Sequence, residues 1–290
     1  MHSYLSAIGF SNITKEELDR IIYEAIRKPD SHEVAFDSDG NEIVELCLQV
    51  CDRTGIAVRG VYDVEDNFKV DYYFPYCLGK DHSTSADLEI IKQSDRESYQ
   101  GFCDEVHLGV NLIFYLQNMI EYLQKSRGRK RFFDDNFRRS CLTGLSLGGK
   151  IILPVEDSKK EIWERKSAER TSLMVAAREG DEDAIESLTL EDMDTYSMIS
   201  NRVTKEDVYS IVTTYFMPYG IESDKYSILG EILSCQKLVN QMTMEGLYIL
   251  KVNTNDICFD VCINEKDLLG EPAVGRRFKG NVWMQGIVEF

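Results

Sequence analysis

The stretch from residue 43 to residue 74 decides the fold: IVELCLQVC (43–51), DRTG (52–55), IAVRGVY (56–62), DVEDN (63–67) and FKVDYYF (68–74). The first run puts Val44, Leu46, Leu48 and Val50 on one face, and the last puts Phe68, Val70, Tyr72 and Phe74 on one side. Side chains alternate across a pleated strand, so this period of two marks strands. The connections are short and polar, whereas a parallel crossover needs roughly a dozen residues. The stretch therefore reads as an antiparallel meander.

Upstream, Thr14-Lys15-Glu16-Glu17 has the form of a capping box, in which hydroxyl and carboxylate each satisfy a free amide. Leu18, Ile21, Ile22, Ala25 and Ile26 then repeat with helical period until Pro29 ends the helix. Downstream, Val106, Val110, Ile113, Leu116, Ile120 and Leu123 predict a long helix over 95–124 that would cover the sheet. The second half reads as helices over 159–179, 181–188 and 191–199. A further helix over 208–216 is capped at Thr204-Lys205-Glu206-Asp207 and stopped at Met217-Pro218-Tyr219-Gly220. Strands follow at 247–252, 257–263 and 277–288. The expectation is an α+β protein. Residues 1–155 form an antiparallel sheet packed by helices, and residues 156–290 form a helical segment followed by a small C-terminal β-unit.

The 290 residues carry a formal charge of −17, and 43% are hydrophobic, which suits a folded globule. A pI near 4.7 would repel phosphate backbones and argues against general nucleic-acid binding. The acidity is uneven: residues 1–124 carry a net −13, residues 125–166 a net +6, and residues 167–290 a net −10. The first ten residues lack the pattern of a signal peptide, and no run of apolar residues is long enough to span a bilayer. Eight scattered cysteines without a CxxC pair read as reduced thiols, so a cytoplasmic setting is expected.

The string Thr143-Gly144-Leu145-Ser146-Leu147-Gly148-Gly149-Lys150 matches two catalytic patterns, and both are incomplete. As a nucleophile elbow it needs a histidine after the serine, but His2, His32, His82 and His107 all precede Ser146. As a phosphate loop it needs Ser or Thr after the lysine, and Ile151 stands there. A Gly-rich β-turn is the expected role. Cys103 and His107, four apart, could share a helix face, and Cys47/Cys51 and Cys258/Cys262 are similarly spaced. None has the tight spacing of a structural zinc knuckle, so ordinary packing is the reading and no metal or cofactor is expected. Neighbouring acids such as Glu65-Asp66 and Asp181-Glu182-Asp183 read as solvated turns and helix starts. No catalytic residue is assigned.

Two groups of residues are candidates for binding. Lys125, Arg127, Arg129, Lys130, Arg131, Arg138 and Arg139 make a basic patch on an acidic chain, suited to an anionic ligand or a protein partner. Arg276, Arg277 and Trp283 could line a ligand groove in the last β-segment.

Three phrases carry a resemblance: YLSAIGFS (4–11), YFMPYGIE (215–222) and GEPAVGRRFKGNVWMQG (270–286). Together they resemble an uncharacterised family of bacterial proteins classed as a domain of unknown function. That resemblance implies no activity, cofactor or catalytic residue. The expected function is a non-catalytic cytoplasmic binding or scaffolding protein, with an enzyme acting on a small anionic or phosphorylated substrate as the alternative.

Overall fold

The meander forms as its alternation predicts, with one further strand in front. In the computed structural model, which describes residues 2–37, 40–93, 98–105, 108, 110–126, 139–155, 157–203 and 207–290, β1 (Ser31–Phe36), β2 (Glu42–Cys51), β3 (Thr54–Tyr62) and β4 (Phe68–Cys77) make a four-stranded antiparallel sheet. Val44, Leu46, Leu48 and Val50 are all buried. Before the sheet comes α1 (Lys15–Arg27), whose capping box is present: Glu17 N–H donates to Thr14 Oγ1 at 3.3 Å, and Thr14 N–H donates to the Glu17 carboxylate at 2.8 Å. Leu18, Ile21 and Ala25 of α1 share a core with Leu48, Val50 and Ile56.

The remainder overturns the α+β expectation. The protein is mostly β, with fourteen strands among the described residues. Its second sheet contains β5 (Leu88–Lys92), β6 (Tyr99–Glu105), β7 (Val110–Leu116), β8 (Ser140–Ile152), β9 (Tyr215–Pro218), β10 (Lys225–Val239), β11 (Gly246–Thr254), β12 (Ile257–Asn264), β13 (Leu268–Leu269) and β14 (Arg277–Val288). These ten strands run in the order β13-β8-β12-β11-β10-β14-β7-β6-β5, with β9 on β10. Because β8 also pairs with β14, strands β8, β12, β11, β10 and β14 close into a five-stranded barrel. The sheet draws strands from both sides of residue 155. Closure leaves these strands no free edge and needs no helical cover.

Several expected helices are accordingly strands. Among the described residues of 95–124, β6 and β7 replace the long helix, and α-helix is confined to α2 (Met119–Ser126). Leu112, Phe114 and Leu116 are fully buried while Asn111 is exposed, a period of two that the apolar content of this stretch had masked. The helix over 208–216 shrinks to α5 (Val208–Ile211), because the β-branched and aromatic run beyond it pairs with β10 as β9. Residues 181–199 form one helix, α4 (Glu182–Val203), antiparallel to α3 (Asp157–Arg178). None of the described helices is long and apolar enough to cross a membrane.

The Gly-rich string is not a turn. It lies inside β8, where its glycines let β14 approach. A Cβ on Gly144 would sit 2.9 Å from Val282 Cβ, and one on Gly149 would overlap the Phe278 ring. Phe278, Val282 and Met284 of β14 fill the barrel with Ile228, Ile232, Val252 and Val261. A second core joins the outer face of the barrel, through Leu145, Leu247, Ile249, Cys262 and Trp283, to Ile56, Val58 and Phe74 of the meander.

Candidate functional site

Along one edge, β14 changes neighbours. It pairs with β10 from Arg277 to Trp283, then with β7 at Gln285 and Gly286. β10 begins at Lys225, directly opposite Trp283. At this handover lies a cavity of about 1070 Å³. It is lined by Lys225 and Trp283, by Tyr115 of β7 and Gln100 of β6, by Arg59 of β3, by Asp71 and Tyr72 of β4, by the 221–224 loop, and by the N-terminal residues His2, Ser3 and Tyr4.

One wall is aromatic. The Trp283 ring lies 4.8 Å from His2, 5.3 Å from Tyr115 and 5.4 Å from Tyr4, centroid to centroid, and Tyr72 meets His2 edge-on at 6.4 Å. Trp283 Nε1 donates to Asp224 Oδ2 at 2.9 Å, which fixes the indole. Burial raises the Asp224 pKa, and the indole hydrogen bond opposes that rise. Burial, followed by the field of Lys225, lowers the His2 pKa to about 4, so the imidazole is neutral at physiological pH. Its Nδ1 is buried without a hydrogen-bond partner among the described residues. Burial, helped by Glu222 and Asp224, raises Tyr4 to about 12, so its phenol stays protonated.

The cations are matched from within. Arg59, 3% exposed, donates to Glu45 at 2.5 Å, to Tyr115 Oη at 2.8 Å and to the Gln117 carbonyl at 3.1 Å. Its guanidinium also lies 4.7 Å over the Phe74 ring. Lys225 pairs with Glu222 at 2.6 Å. Among the described residues, once these pairs cancel, Asp71 and Asp224 remain as the lining charges. Two of its serine hydroxyls are tied to amides: Ser98 donates to Gln93 at 2.9 Å, and Ser223 accepts from Gln100 at 3.2 Å. Neither meets a base that would activate it.

Of the candidate site residues singled out in the sequence that the structure describes, Trp283 alone lines this cavity. Arg277 is buried as a strut, donating to the carbonyls of Leu153, Tyr209, Val212 and Thr213 at 2.8–3.3 Å. Arg276 donates to the Glu271 carbonyl at 2.6 Å. Lys125 pairs with Glu121 at 2.7 Å, and Arg139 is exposed just before β8. Arg127, Arg129, Lys130, Arg131 and Arg138 lie outside the described residues, as does His107. Ser146 is fully buried with its hydroxyl against the carbonyls of Gly148 and Asn281, in place of any base. Among the described residues no three His, Cys, Asp or Glu side chains gather as a metal site.

Sequence reasoning missed Arg59, Tyr72, Tyr115, His2 and Lys225. Arg59 did carry a signal: it is the one charge inside the apolar run 56–62, and a charge there requires a buried partner. The others come from separate segments with no pattern linking them.

No curated protein and no solved structure matches the chain. A family model described as "Domain of unknown function, E. rectale Gene description (DUF3881)" matches residues 5–286, as the resemblance implied.

Proposed function

We propose that this protein, which belongs to the DUF3881 family of unknown function, is a non-catalytic cytoplasmic binding protein whose cavity holds a small ring-bearing ligand, uncharged or cationic. One observation carries this reading: the rings of His2, Tyr4, Tyr72, Tyr115 and Trp283 converge on a cavity whose cations, among the described residues, are already paired. Cavities of roughly 300–1,000 Å³ lined by aromatics and a few fixed polar groups are the usual form of small-molecule sites. A flat ligand face stacks on such rings, and its polar edge meets the exposed Asp71 and Gln93. An anionic or phosphorylated substrate would bring its charge against Asp71 and Asp224. The cytoplasmic assignment is supported by eight cysteines with no disulfide among them.

The test uses Trp283 as its reporter. The chain has two tryptophans, and Trp163→Phe leaves Trp283 alone. Titration with nucleosides, mono- and disaccharides and their phosphate esters should quench or shift the emission for at least one uncharged ring compound. Tyr72→Ala should weaken that binding about tenfold, the scale of one lost stacking contact of about 1–3 kcal/mol. Unchanged emission across the panel, or tighter binding of the phosphate esters, would overturn the reading.

A further inference from the structure

Among the described residues, the helical hairpin α3–α4 contributes nothing to the cavity, and α4 carries an outward face that they leave open. Ala184 is buried, and on the side facing α3 Glu191 pairs with Arg170 at 3.4 Å. Arg178 anchors the hairpin to β6 through Asp104 at 3.0 Å. On the outward side Ile185, Met193 and Tyr196 are 48%, 63% and 76% exposed. With Thr189 they fall at i, i+4, i+8 and i+11, which makes one continuous stripe along three helical turns. A hydrophobic stripe left in water along a helix marks an interaction surface.

Charge selects the occupant. α4 holds six carboxylates and one arginine. Arg170 takes up Glu191 and Asp192, whereas Glu182 and Glu186, beside the stripe, have no ionic partner among the described residues. A second copy of this face, an anionic lipid surface or a nucleic acid would each set negative charge against negative charge. We infer that the Ile185–Met193–Tyr196 face of α4 docks a basic amphipathic helix of a partner protein, with apolar side chains on the stripe and Lys or Arg against Glu182 and Glu186.

The probe is a labelled leucine–lysine peptide with helical amphipathic period, followed by fluorescence anisotropy at physiological salt, where the long-range pull of the net charge of −17 is screened. Saturable binding is expected, weakened about tenfold or more by the charge-neutral pair Ile185→Ser and Met193→Ser. Leu269→Ser, at an equally exposed apolar position away from α4, should leave it unchanged. Three results overturn the inference: no saturable binding, equal binding by the α4 and Leu269 variants, or equal binding of a peptide with glutamate in place of lysine. None of them bears on the cavity, so the two proposals fail separately.

Discussion

Arg59 and Glu45 face each other directly across β3 and β2, with 2.5 Å between Nε and Oε2 and both side chains almost entirely out of solvent. A buried pair gains little over an apolar pair of the same volume, but removing one partner strands the other charge. Glu45→Gln should therefore cost about 3–5 kcal/mol in urea unfolding. The double replacement Glu45→Leu and Arg59→Leu should recover much of that loss. A Glu45→Gln variant that unfolds at the wild-type midpoint would show that the guanidinium is satisfied by Tyr115 and Gln117 alone.

His2 should make stability fall with acid. The unfolded imidazole takes up its proton near 6.5 and the folded one near 4. Between those values the unfolded chain binds a proton that the folded chain does not, so stability declines as pH drops through this window. The loss is complete below the folded value and amounts to about 3 kcal/mol at most. Carboxylates also destabilise the fold in acid, so the readout is the difference between wild type and His2→Gln. That difference should change between about pH 7 and about pH 4.5. Parallel curves would mean that the imidazole is free to charge in the folded protein.

Adjacent glycines in β8 should behave oppositely. A Cβ on Gly149 would overlap the Phe278 ring where β8 and β14 close the barrel, whereas one on Gly148 would meet nothing nearer than the Asp267 carbonyl at 3.9 Å. Gly149→Ala should cost about 1–3 kcal/mol, the scale of overpacking a core. Gly148→Ala should be near neutral. Thermal melts of the two variants, recorded by circular dichroism, decide the matter, and equal melting temperatures would refute the barrel contact.

The meander and α1 were legible because each carries its own signal: the alternation of Val44, Leu46, Leu48 and Val50, and the Thr14–Glu17 box. β7 was not, since Val110, Ile113 and Leu116 fit a helical stripe as well as Leu112, Phe114 and Leu116 fit a strand. The choice is made by pairing with β6 and with β14, far away in the chain. β10 was silent because Glu231, Ser234, Gln236 and Lys237 interrupt its apolar residues. Of the described residues lining the candidate cavity, Trp283 had been singled out, as a large ring in a glycine-rich strand. Its neighbours are brought to it only by the handover from β10 to β7, which no local pattern encodes.

The ring of strands also imposes an order of events on the growing polypeptide. β8 pairs with β12 on one side and β14 on the other, so the barrel cannot close until Arg277–Val288 has been made. Contacts so distant in sequence form slowly. Until then the strand edges that β14 covers stay open to other chains, which makes the unclosed ring the form of this fold most prone to aggregate.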